Sequence, residues 1–213
     1  MSSKTTIIQF WDSNTPEYIQ ELLDSTRLLN QDVDYRFFDD ATSRAYIGEI
    51  FGAELQAVFD DCALPAMRAD FFRYCFLYHE GGFYIDADFR NLQSLSPIID
   101  RDNNGCLYQH NSGITNSMIF VRDAKTPLME AVLNVAVENI KNRKSNSVWG
   151  VTGPAIFRNL KSHERNDHLF ENFYIIEDEE FGQYFDAVPG LDYKAGDSHW
   201  TVARDKGISI FTG

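Results

Sequence analysis

The sequence predicts a single-domain α/β fold over residues 1–213, and three observations carry that expectation. The chain opens strand, helix, strand; Pro65 to Ile85 reads as a helix, a glycine pair and a strand; and 213 residues, 44% hydrophobic with 17 Phe and 10 Tyr, suffice for one core that buries roughly 70% of the unfolded surface. Thr6 to Trp11 is an apolar run of strand length, and Asp12-Ser13-Asn14 turns the chain after it. Thr15-Pro16-Glu17 starts a helix with Thr as the expected cap and Pro at the first position; Ile19, Leu22, Leu23, Thr26 and Leu29 form its buried stripe. Tyr35 to Phe38 reads as the second strand, so the opening is that of a nucleotide-binding α/β sheet.

The rest of the chain is organised around Arg68 to Arg90. Pro65 to Glu80 has proline at the expected first helical position and no internal glycine, and it sets Asp70, Arg73, Tyr74 and Leu77 on one face. Gly81-Gly82 stops this helix because glycine alone accepts left-handed dihedrals without a Cβ penalty, and Phe83-Tyr84-Ile85 follows as a buried strand. Asp86 and Asp88 stand at its end, two apart and therefore expected on one side, at the carboxyl edge where open α/β sheets bind ligands. Two close carboxylates repel unless a cation joins them, and hard oxygen donors select Mg²⁺ or Mn²⁺. The plain alternative for an isolated D-x-D is a strand that ends in a solvated turn.

The stretch D-x-x-R-Y at Asp70 to Tyr74, followed by G-G-x-Y-x-D-x-D at Gly81 to Asp88, resembles the donor-binding segment of glycosyltransferase family 32. That group is capsular polysaccharide- and initiating-mannosyltransferase-like, and it is related to the large clostridial glucosylating toxins. The resemblance implies a GT-A-type three-layer sandwich with a Rossmann-like nucleotide-binding half and a mixed central sheet. It also implies metal-dependent, retaining transfer from a UDP-sugar or GDP-mannose donor to a glycan or other hydroxyl acceptor. By resemblance, Asp86 and Asp88 bind Mn²⁺ or Mg²⁺ and the nucleotide, while Asp70 and Arg73 hold the transferred sugar. Trp11 is expected to stack on the base or to pack in the core, and Asn116 resembles an asparagine that contacts the sugar. Ser198 and Trp200 resemble an S-x-W element that closes over the pyrophosphate. Between them, His199 is a candidate third metal ligand, although the order here is compressed to Ser-His-Trp. Arg68 and Tyr84 are further candidate donor contacts.

A formal net charge of −13 argues against general nucleic-acid binding and against attachment to anionic membranes. Cys62, Cys75 and Cys106 show no C-x-x-C spacing, so neither a disulfide framework nor a zinc site is expected. The apolar run near the N-terminus is too short for a signal peptide, and none approaches the roughly 20 residues of a membrane span. The expectation is a reduced, cytoplasmic, minimal catalytic domain.

Beyond the D-x-D, Ser96-Pro97 starts a short helix, Gly105–Gln109 and Ser117–Val121 read as strands, and Thr126-Pro127 caps a helix to about Asn142. In Gly150-Val151-Thr152-Gly153-Pro154 the threonine is expected to cap the following helix, and Asn172 to Ile176 reads as the last core strand. Two other readings stand beside the transferase. One is a catalytically reduced nucleotide-sugar or glycan-binding protein on the same fold. The other is a haloacid-dehalogenase-type phosphotransferase, which places its D-x-D after the first strand rather than in mid-chain.

Overall fold

The computed structural model describes residues 5–12, 14–111 and 113–213. Ser13, in the expected turn after the first strand, and Ser112 lie outside the described residues, as do residues 1–4. The chain runs β1 (Thr6–Phe10), α1 (Glu17–Leu29), β2 (Asp34–Phe38), α2 (Asp40–Phe51), α3 (Ala53–Asp60), α4 (Pro65–Glu80), β3 (Gly82–Ile85) and β4 (Phe89–Asn91). It continues through α5 (Ser96–Ile99), β5 (Gly105–His110), β6 (Gly113–Val121), α6 (Pro127–Lys141), α7 (Val148–Val151) and α8 (Ala155–Lys161). The last elements are β7 (Phe173–Glu177), α9 (Asp178–Tyr184), β8 (Phe185–Ala187) and α10 (Trp200–Asp205).

Six strands make one mixed sheet in the order β2-β1-β3-β6-β5-β7. β1 runs parallel to β2 and β3, β6 is antiparallel to β3 and β5, and β7 returns parallel to β5. Alternation along the strands fills a core on each face. Ile8, Tyr84, Ile119 and Leu107 meet α2, α3, α4, α6 and α8, whereas Ile7, Phe83, Met118, Cys106 and Ile176 meet α5 and α9. This is the expected three-layer arrangement with a mixed central sheet. A third cluster seats Ile19, Leu22 and Leu23 of α1 on Ala87, the residue between the two aspartates.

Local chemistry accounts for the central unit. α4 begins with Pro65 at its first position and ends at Gly81, as the sequence predicts. Gly81 and Gly82 take φ of +73° and +112°, and a Cβ on Gly82 would lie 2.6 Å from the Thr6 carbonyl oxygen. Only glycine lets β3 close against β1 directly after the helix.

Three local expectations are corrected. Thr15 does not cap α1: Pro16 occupies the cap position, without a side-chain bond. Thr152 does not cap α8, which Pro154 precedes, because its hydroxyl is engaged elsewhere. The strand expected over Ser117–Val121 begins earlier, at Gly113, so Asn116 lies inside β6. Cys62, Cys75 and Cys106 are buried free thiols. No helix among the described residues is long and apolar enough to cross a membrane.

Gly82→Ala is expected to destabilise the fold by about 2 kcal/mol or more, because it adds both a left-handed strain and a backbone collision. A urea unfolding midpoint equal to that of the parent protein would contradict this.

Candidate active site

The site is built on α4. Asp70 and Arg73 face the sheet from its middle turns and are 6% and 3% exposed. A buried arginine needs hydrogen-bond partners, and Arg73 has four. Its Nη2 lies 3.2 Å from Asp70 Oδ1 and 3.0 Å from Asp86 Oδ1, Nη1 donates to the Asn116 carbonyl, and Nε donates to the Ala69 carbonyl. The guanidinium lies over the Tyr84 ring, 3.9 Å from its centroid, and the Tyr84 hydroxyl donates to Asp86 Oδ1 at 2.7 Å. Arg73 thus ties the helix to the D-x-D through one cation.

Asp70 is bonded on both oxygens. Asn116 Nδ2 donates to Oδ1 at 2.8 Å and Thr152 Oγ1 donates to Oδ2 at 2.9 Å. Tyr74 completes the ring, accepting from Asn116 Nδ2 at 2.8 Å and donating to the Thr152 carbonyl at 2.6 Å. Burial pushes the Asp70 carboxyl upward, while Arg73, Thr152 and Asn116 pull it back.

The D-x-D leaves β3 rather than extending it. β3 ends at Ile85, the Phe89 amide donates to the Asp86 carbonyl at 3.4 Å, and Ala87 is buried against α1. The expectation that both carboxylates share one strand face is therefore corrected: a turn anchored by its apolar middle residue presents them instead. Burial pushes the Asp86 carboxyl up to about 6; Arg73 opposes the rise and Asp88 adds to it. Asp88 Oδ2 accepts from the Tyr193 hydroxyl at 2.7 Å and pairs with Lys194 Nζ at 2.9 Å. Burial and the Lys194 charge lower the His199 pKa, which keeps the imidazole neutral near pH 7, and its Nδ1 is paired with Thr201 Oγ1 at 2.6 Å.

These groups converge on one cavity of about 640 Å³ at the carboxyl ends of β1 and β3. Trp11, Asp70, Arg73, Tyr84, Asp86, Asp88, Asn116, Ser198, His199 and Trp200 all line it. Arg68 does not. Its guanidinium is spent on Asp40, at 2.7 and 3.0 Å, and on the carbonyls of Cys62 and Ala63, so its role as a donor contact is corrected to a brace between α2 and the start of α4. Among the described residues no group of three His, Cys, Asp or Glu side chains is gathered to hold a metal, and Tyr193 and Lys194 stand at Asp88.

Sequence reasoning missed Tyr193 and Lys194. A signal was present, since Lys194 is the first Lys or Arg after Arg165 in an acidic, aromatic stretch. It also missed that Thr152 serves Asp70.

Residues 2–104 match the family described as glycosyltransferase sugar-binding region containing DXD motif. That match takes in just under half of the chain and includes Asp70, Arg73, Asp86 and Asp88. Over 98 residues it is 30% identical to the initiation-specific alpha-1,6-mannosyltransferase of Schizosaccharomyces pombe, an alignment that takes in 44% of this chain and 21% of that protein. The matched region is thus about a fifth of that relative's length. The domain superposes on the PaToxG glycosyltransferase with a TM-score of 0.54, at 17% identity over 97% of this chain and 86% of the other. It superposes on the glycosyltransferase domain of the YGT toxin, solved with UDP bound, with a TM-score of 0.53, at 11% identity over the same 97% and 86%. The fold is GT-A, and the dehalogenase alternative falls with it.

The raised Asp86 pKa fixes the sign of a pH effect. A carboxyl whose folded value lies above its ordinary 3.8 contributes stability below that value and loses it as pH rises through about 6. Asp86→Asn, which does not titrate, is therefore expected to gain melting temperature relative to the parent protein by at least about 3 °C between roughly pH 4 and pH 7 in metal-free buffer. A difference that is flat across this range, read by calorimetry, would refute the assignment.

Proposed function

We infer that this domain transfers a hexosyl group from a nucleoside diphosphate sugar to an acceptor hydroxyl, with a divalent cation at the D-x-D. The observation that carries the reading is the Arg73 guanidinium, buried on Tyr84 and spanning Asp70 of α4 and Asp86 of the D-x-D inside the cavity. Such a bridge fixes a sugar site and a diphosphate site relative to each other, and positioning of this kind supplies much of the rate in group transfer.

The residues fit Mg²⁺ or Mn²⁺. Asp86 and Asp88 offer hard oxygens, and Asp88 already holds a cation in the form of the Lys194 ammonium. His199 is neutral, with Nδ1 engaged, which leaves Nε2 as the ring nitrogen open to a ligand. Asp86 and Asp88 would hold the ion, and His199 would join them only with a shift of the 193–200 stretch, since the three are not gathered in this structure. When bound, the ion supplies Lewis acidity toward the diphosphate leaving group.

The chain's own groups do the rest. An ionised carboxylate offers about four acceptor positions, and three donors from the protein occupy those of Asp70, which leaves room for one sugar hydroxyl. Asn116, a residue of the cavity wall, commits its side-chain Nδ2 to Asp70 and Tyr74 and keeps its side-chain Oδ1 for a second hydroxyl. Arg73 holds positive charge beside the anomeric carbon's departing oxygen, and Lys194, released from Asp88, adds a second cation at the diphosphate. Trp11 offers a ring to the base, while Ser198 and Trp200 cover the diphosphate. The acceptor oxygen bonds to the anomeric carbon as the bond to the β-phosphate oxygen breaks. The electron pair leaves on that oxygen, and the hydroxyl proton passes to it or to solvent. The retention implied by the family resemblance belongs to the same proposal.

The test is a panel of UDP, GDP, UDP-glucose, UDP-galactose and GDP-mannose, each with and without Mn²⁺, read by thermal shift and by release of free nucleoside diphosphate. UDP and GDP are both included because one fold neighbour was solved with UDP and the sequence relative is a mannosyltransferase. One nucleotide class is expected to raise the melting temperature only with metal, and Asp88→Asn to abolish the shift and cut turnover by about 100-fold or more while still folding. Turnover that survives in Asp88→Asn, or a panel with neither shift nor turnover, would count against the transferase reading.

A further inference from the structure

All three tryptophans of the chain, Trp11, Trp149 and Trp200, line the one cavity. Trp11 belongs to the part that holds Asp88, and Trp200, next to His199, packs on the core cluster that contains Val148. Trp11 meets Tyr193 edge-on at 4.8 Å, Tyr193 bonds Asp88, and the Trp200 ring lies 5.9 Å from that of His199. Trp149 belongs elsewhere. It sits on α7, three residues before Thr152, whose hydroxyl is bonded to Asp70.

The direction of α4 separates the two parts. Arg73 touches the D-x-D, Asp70 lies one turn earlier beside Thr152, and Pro65 and Ala66 begin the helix. At 1.5 Å per residue the cavity therefore extends about 12 Å along the helix, from Arg73 back to Pro65. Pro65 and Ala66 line it there, and Val148, Trp149 and Pro154, from the segment whose Thr152 bonds Asp70, line it too; none of the five is ionisable.

Packing does not explain Trp149. Large apolar side chains exposed among the described residues are Leu28, Leu29, Phe37, Ile50, Leu92 and Trp149, and of these only Trp149, 42% exposed, lines the cavity. The ring is held nonetheless. The Arg158 guanidinium stands 5.7 Å from its centroid, and a Cβ on Gly153 would come within 2.8 Å of the Trp149 Cα, so the turn beneath it is tight. The donor reading uses Trp11, the D-x-D, Asp70, Arg73 and the 193–200 stretch, and leaves this end empty. The attacking hydroxyl has to arrive from the side that the nucleotide does not fill.

We propose that Trp149 is the stacking platform of an acceptor subsite that takes a pyranose ring, which makes the acceptor a carbohydrate. A pyranose presents a face of C–H groups that lies flat on an indole while its hydroxyls stay at the rim, bonded to water or to polar groups, so apolar area is buried without stripping polar atoms. The inference rests on the transferase reading of the same cavity and adds the substrate class at its second end.

The three indole N–H groups report on it directly in a ¹⁵N correlation spectrum, assigned with single Trp→Phe variants. Two arms are titrated: UDP or GDP with Mg²⁺, and separately methyl α-D-mannopyranoside and methyl α-D-glucopyranoside, with open-chain sorbitol as a polyol that lacks the flat face. The nucleotide is expected to move Trp11, and a pyranoside to move Trp149 saturably where sorbitol does not. Trp149→Ala is expected to weaken pyranoside binding roughly tenfold, read at the Thr152 amide, and Trp149→Tyr to retain most of it. A Trp149 resonance unmoved by both pyranosides, an equal response to sorbitol, or undiminished affinity in Trp149→Ala would overturn the proposal. The arms fail independently: a silent Trp11 with a responsive Trp149 sinks the donor reading, and the reverse sinks the subsite alone.

Discussion

Everything at this site depends on one buried cation. Arg73 lies inside the protein, and taking a guanidinium out of water costs several kcal/mol unless partners replace the water. Here two carboxylates, two carbonyls and a tyrosine face do so, and the negative neighbours outweigh burial and keep the group protonated. The five partners come from four parts of the chain: Asp70 and Ala69 from α4, Tyr84 from β3, Asp86 from the turn beyond it, and Asn116 from β6. The glycine pair that folds β3 back beside α4, and the long β6 that brings Asn116 under it, are the structural conditions for this contact.

A second constraint follows from the charge it leaves over. Arg73 answers Asp70 and Asp86 but not Asp88, which stands two residues beyond Asp86 on a turn pinned by Ala87 on α1. In this structure the 193–200 stretch answers it with Tyr193 and Lys194. The same stretch carries Ser198, His199 and Trp200, so the segment that neutralises the D-x-D also walls the cavity. Replacing an ammonium with a divalent ion at Asp88 would couple cation binding to the position of this segment, and Lys194 would pass from Asp88 to the diphosphate.

Much of this was legible in the sequence, because the central unit is local. A proline start, a glycine stop and a short apolar strand fix α4 and β3 within 21 residues, Pro65 to Ile85, and the D-x-D follows directly. What escaped were contacts between distant segments. Asp88 and Tyr193 are 105 residues apart, Asp70 and Thr152 are 82, and Arg68 and Asp40 are 28; no periodicity or cap rule links such pairs. Arg68 reads as a site residue because it shares a helix with Arg73, yet it lies in the first turn, where the Asp40 carboxylate and two carbonyls claim it. Trp149 escaped for a different reason: nothing in the residues around it signals that its ring stands exposed in the cavity.

The most direct test of the account is the anomalous scattering of Mn²⁺ in crystals grown with the nucleoside diphosphate that stabilises the protein. The account predicts a single strong peak within coordination distance of Asp86 and Asp88, with the Lys194 ammonium moved off Asp88 onto the diphosphate and the Arg73 bridge between Asp70 and Asp86 intact. A peak elsewhere, or a nucleotide bound with Lys194 still paired to Asp88 and no metal beside it, would contradict it.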